Sequence, residues 1–65
     1  MPLLEITTNT TIENIHDFAA RASALTAEML SKPEGYVMVK IQQEQTLLFA
    51  GDTAPAAHVK LKSLG

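Results

Sequence analysis

The sequence predicts an α+β fold: a single β-α-β unit followed by an extra short C-terminal strand. Three observations predict it. Leu3-Leu4-Glu5-Ile6-Thr7-Thr8 is a strand-like run with β-branched residues at its end. Ile15, Phe18, Ala22, Leu25 and Met29 recur at steps of three and four, the period of one helix stripe. Residues 36–42 and 58–62 alternate in the period of strands.

The first strand covers residues 3–8. Thr10 precedes Glu13 by three, a Thr-x-x-Glu capping box that predicts a helix start. Glu13 and Asp17 fall in the early turns, where the helix dipole favours negative charge. Pro33 ends the helix, because proline disfavours helical geometry in the residue before it. In the second strand Val37, Val39 and Ile41 share the face expected to lie under the helix stripe, and Met38, Lys40 and Gln42 share the other. Strand, crossover helix and strand predict a right-handed parallel pair. Residues 46–50 form a short third apolar segment, and residues 51–55 a turn leading into one helical turn. In the final strand Val59 and Leu61 face one way, His58, Lys60 and Lys62 the other. Little within the chain is expected to cover that strand, so its edge is expected to add to a neighbouring subunit's sheet.

A chain of 65 residues holds one domain at most, read here as a single domain over residues 1–65. It has no cysteine, so neither a disulfide nor a thiolate metal site supplements the core. Yet 46% of its residues are hydrophobic and 18% charged, which disfavours disorder. Spare apolar surface in so short a chain predicts a homo-oligomer. The start lacks the pattern of a signal peptide and no run is long enough for a membrane span, so the expected location is cytoplasmic, with no membrane partner. A net charge of −2 gives no reason to expect nucleic acid. His16 and His58 stand far apart without companion ligands and read as surface residues, so no metal and no cofactor are expected.

The remaining chemistry lies at the start of the chain. With Met1 removed, Pro2 becomes a secondary amine at the chain terminus, a base and a nucleophile. Inside a chain its nitrogen is an amide and neither. Lys32, at the end of the predicted helix, reads from position alone as a lysine that complements the helix dipole.

Several short motifs share one order along the chain. They are Pro2 and its strand, Thr8-Asn9-Thr10 before the helix, Lys32-Pro33 with Tyr36 three residues on, Phe49-Ala50-Gly51, Pro55, and Leu61-Lys62-Ser63-Leu64-Gly65. In this order and spacing the sequence resembles the tautomerase superfamily, and within it the N-terminal half of the macrophage migration inhibitory factor type. Lys62 stands where that type often has histidine. The resemblance implies a trimeric assembly with active sites at subunit boundaries. It implies a keto–enol tautomerase acting on a small α-keto or enol carboxylic acid, with Pro2 as general base. Lys32 would hold the substrate carboxylate, and the backbone N–H of Leu64, with Ser63 beside it, would help hold the substrate. A base works best with a pKa near the working pH. An apolar pocket and the Lys32 charge would both disfavour the protonated amine and keep Pro2 partly neutral.

Full members of that type carry two β-α-β units. Short members, such as 4-oxalocrotonate tautomerase, assemble six single units. In a hexamer of this chain, Met38 and Ile12 would fall near the short enzyme's arginine positions, and Lys40, on the face of Met38, could substitute as a substrate-binding residue. The expected partners are therefore a small carboxylate and further copies of the chain, as homotrimer or homohexamer. The alternative reading is a non-catalytic structural or binding protein on the same fold, pairing with a separate second-half chain. A third is an unrelated small oligomeric β-α-β module, in which Pro2 would lie outside any pocket.

Overall fold

The computed structural model describes residues 1–63. Strand β1 (Pro2–Thr8) leads to helix α1 (Ile15–Leu30), a short 3-10 turn (Glu34–Tyr36), β2 (Met38–Gln42) and β3 (Ala57–Ser63). The sheet order is β2-β1-β3. β2 runs parallel to β1, as the β-α-β reading requires, with Leu4 beside Val39 and Ile6 beside Ile41. β3 runs antiparallel to β1, with Leu61 opposite Leu4 and Val59 opposite Ile6. The final strand pairs with β1 of its own chain on one side and forms an edge of the sheet on the other. The period of two places Leu4, Ile6, Val39, Ile41, Val59 and Leu61 on one face, towards α1. Leu3, Glu5, Met38, Lys40, Lys60 and Lys62 share the other.

The predicted capping box does not form. α1 starts at Ile15, and its N-cap Asn14 is left-handed (φ 51°) with no side-chain cap. The approach to the helix is held by one short-range contact and two long-range bonds instead. The hydroxyls of Thr8 and Thr10 lie 3.1 Å apart, Ile12 N–H donates to Gln43 Oε1 at 2.9 Å, and Glu44 N–H donates to the Thr10 carbonyl at 3.0 Å. A local cap gives way to long-range hydrogen bonds that fix where the chain enters the helix.

The helix also lies rotated from the predicted stripe. Thr26 and Ala27 are its buried residues, whereas Phe18, Leu25 and Met29 are 40%, 57% and 70% exposed. The buried positions of α1 thus carry small side chains, and the large ones stay exposed along its flank. There Leu25 and Met29 join Leu4, Ile6, Val59 and Leu61 around an open apolar groove. Asp17 and Arg21 pair at 3.1 Å on the exposed side, which contributes a few tenths of a kcal/mol at most.

β2 is shorter than predicted, because Tyr36 belongs to the 3-10 turn. Residues 46–50 form no strand. Phe49 and Asp52 exchange two backbone bonds of 3.0 Å around Ala50 and Gly51, both left-handed at φ 55° and 75°. That conformation suits glycine and strains alanine. Ala50→Gly is expected to stabilise the fold by about 1 kcal/mol, read as a higher urea midpoint at unchanged m-value. Residues 51–55 form the expected turn, ending in a bend at residues 54–55, but the helical turn expected beyond it is absent and β3 starts at Ala57.

Thr8 and Asn9 tie that bend to the end of β1. Thr8 Oγ1 donates to the Ala56 carbonyl at 2.8 Å. Asn9 Nδ2 donates to the Ala54 carbonyl at 3.0 Å, and its Oδ1 accepts from Ala56 N–H at 2.9 Å. Asn9→Ala removes an acceptor and a donor together, so about 1–2 kcal/mol of stability should be lost, seen as a lower urea midpoint.

Candidate active site

Pro2 is the first residue of the central strand. Proline is tolerated there because a strand's first residue can lack a ladder N–H. It shares the face of Leu4 and Ile6, towards α1, and is buried. Above it the helix ends. Pro2, Met1, Ser31, Lys32, Pro33 and Tyr36 together line an open recess of about 480 Å³.

Two of the candidate site residues, Pro2 and Lys32, therefore meet in one recess although they lie 30 residues apart. Among the described residues Lys32 has no carboxylate partner, and it is exposed. Its ammonium is available to an anion from solution, which dipole complementation alone does not require. Tyr36 is 62% exposed and offers an aromatic face and a hydroxyl at the rim. The recess thus combines an apolar floor, one cation and one phenol. That set suits a small carboxylate with an apolar body. While Met1 is attached, the Pro2 nitrogen is an amide without a basic lone pair.

The other expected substrate contacts do not line this recess. Ser63 stands opposite Pro2 on the antiparallel ladder, outside the lining. Lys40 pairs with Glu5 in the register, on the sheet face away from α1 and from Pro2. Leu64 lies outside the described residues, as does Gly65. Sequence reasoning did not select Ser31 or Tyr36 as lining residues. The spacing of Lys32-Pro33 and Tyr36 was the available signal for Tyr36, and Ser31 gave none. His16 and His58 are exposed, as expected. Among the described residues no three His, Cys, Asp or Glu gather as a metal site, and no helix is long and apolar enough to cross a membrane.

A parallel β-α-β unit flanked by an antiparallel strand, with its second residue in a recess at the helix end, defines an α+β protein of the tautomerase-type fold. Known proteins agree. Residues 1–65 match the family described as macrophage migration inhibitory factor (MIF), and the chain belongs to that family. It is 47% identical over 66 residues to a macrophage migration inhibitory factor homolog of Trichuris trichiura, covering all of this chain and 58% of the relative. It is 39% identical to the D-dopachrome decarboxylase of Mus musculus, covering all of this chain and 56% of that protein. The crystal structure of the macrophage migration inhibitory factor homologue from Prochlorococcus marinus superimposes with a TM-score of 0.90 at 33% identity, over 97% of this chain and 56% of that one. The chain spans little more than half the length of these relatives.

Proposed function

We propose that the chain, once Met1 is removed, is a keto–enol tautomerase for a small α-keto or enol carboxylic acid. The single observation that carries this reading is the shared recess of buried Pro2 and exposed Lys32. The Pro2 nitrogen takes a proton from the carbon beside the substrate carbonyl. The C–H electron pair becomes the new C=C bond, and the carbonyl π pair moves to oxygen. The proton is then delivered to that oxygen, giving the enol with no atom gained or lost. The Lys32 ammonium holds the carboxylate and so orients the reacting carbon towards Pro2. Ser63 and the backbone N–H of Leu64 are the further substrate contacts that the family resemblance implies, and Lys40 contributes only if an assembly brings another copy's sheet face to the recess.

Self-association belongs to the same proposal. Among the described residues Ala27 and Pro2 are the buried apolar side chains, while Leu25, Met29, Val59 and Leu61 stand 47–70% exposed along one flank. Copies of the chain cover that flank, as homotrimer or homohexamer, in the cytoplasm.

The test follows the ultraviolet absorbance of an enolised aryl α-keto acid with processed protein and with protein that keeps Met1, the two forms distinguished by intact mass. Turnover is expected from the processed form only, falling at acidic pH as the terminal amine is protonated. Equal rates from both forms sink the proposal. The second reading is a non-catalytic protein that binds a second-half chain. The groove between α1 and β3 favours it, and a mixed complex in lysate with no turnover from the isolated chain would support it.

A further inference from the structure

Ser31 directly follows α1 and is left-handed, at φ 54° and ψ 43°. Its N–H donates to the Glu28 carbonyl at 3.2 Å, and the Lys32 N–H donates to the Ala27 carbonyl at 3.0 Å. These bonds are the two closures of a Schellman turn, whose left-handed position is usually glycine. A side chain there is strained. Asn14, Ser31, Glu44 and Ala50 are the left-handed non-glycine residues among those described, and of the four Ser31 lines the Pro2 recess. Strain retained at a functional site points to a role.

The turn decides where Lys32 goes. Pro33 keeps Lys32 itself out of helical geometry, but a helical residue 31 would still set the Lys32 Cα and Cβ one turn above Glu28, on the row where side chains of one helix face meet. Glu28 is exposed. Lys32 would then sit on the outer face of the helix, beside a carboxylate of its own chain. The left-handed residue breaks that row and turns the next residue into the recess.

We propose that Ser31 is a positioning residue, whose left-handed turn carries the Lys32 ammonium from the outer helix face to the recess of Pro2. The inference rests on the carboxylate-binding role given to Lys32 above. It assigns the geometry of the anion contact to the backbone at Ser31, with the serine hydroxyl dispensable. Residues that accept the left-handed region therefore serve equally well, and residues that favour a continued helix or a β-branched Cβ do not.

The experiment is an NMR titration with a saturated aryl-alkanoate and with its methyl ester, neither of which can be turned over. In the unaltered chain the carboxylate binds more tightly than the ester. Ser31→Gly and Ser31→Asn are expected to keep that preference. Ser31→Val should weaken carboxylate binding by about fivefold and leave the ester unchanged, and Ser31→Ala carries the same expectation if the valine variant does not fold. In a Lys32→Gln background, Ser31→Val should have no further effect on the carboxylate. The proposal is overturned if the unaltered chain shows no preference, if Ser31→Val and Ser31→Ala keep it, if Ser31→Gly loses it, or if Ser31→Val costs as much without Lys32. Turnover is measured in parallel. Absent turnover with the preference intact sinks the tautomerase reading and leaves the role of Ser31 standing.

Discussion

Replacing Pro2 with alanine should lower kcat/KM for keto–enol exchange by at least about 100-fold, the lower end of what a positioned general base contributes. The fold should survive the change. Proline donates no N–H to the ladder at this position, so alanine removes no hydrogen bond. The urea midpoint should therefore stay close to that of the unaltered chain while activity collapses. A variant that keeps Met1 should be as inactive as Pro2→Ala, because an amide nitrogen replaces the amine in the first and the ring amine is missing in the second. Undiminished turnover in Pro2→Ala would remove Pro2 from the chemistry, whatever the recess looks like.

The second large effect concerns the apolar flank. Leu61→Asp puts a carboxylate among Leu4, Leu25, Met29 and Val59. In a monomer that position stays in contact with water, since Leu61 is 47% exposed, and the substitution should cost little beyond lost apolar contact. In an assembly that covers the flank, the charge is desolvated without a partner, at several kcal/mol per site. Native mass spectrometry should show the unaltered chain as a trimer or hexamer and Leu61→Asp as a monomer. His16→Glu, on the exposed side of α1, serves as the control and should keep the assembled mass. An unaltered chain that runs as a monomer, or a Leu61→Asp variant that still assembles, would remove this flank from the interface.

Much of the fold was legible because periodicity reports burial on a sheet. The alternation of Val39 and Ile41 with Met38, Lys40 and Gln42 settles which face of β2 meets the helix, and the structure keeps it. Helix details were less legible. The Thr10–Glu13 spacing matches a local cap, but Thr8, Gln43 and Glu44 compete for the same backbone and hydroxyl groups and win. The helix stripe misled for a related reason. Periodicity marks the large apolar residues, whereas the buried positions of the helix carry small side chains, Thr26 and Ala27.

The site divides in the same way. Pro2 was legible as candidate chemistry and Lys32 only through the family resemblance, and the fold brings them into one recess. Lys40 could have been set apart by parity alone, since it shares a face with Met38 and Gln42 and not with the valines. Ser31 was invisible, because a left-handed turn announces itself through glycine and here it is made with serine.

Chain termini usually fray and tolerate additions. Here the first strand is the middle of the sheet, held on one side by β2 and on the other by β3. The N-terminus is the structural keel of the molecule. An affinity tag or fluorophore fused ahead of Pro2 adds more than a passive handle, since it fills the mouth of the recess and keeps the ring nitrogen acylated. Under the proposed function chemistry and folding are fastened to the same end of the chain, so any label meant to leave both undisturbed belongs elsewhere, on the outer face of α1.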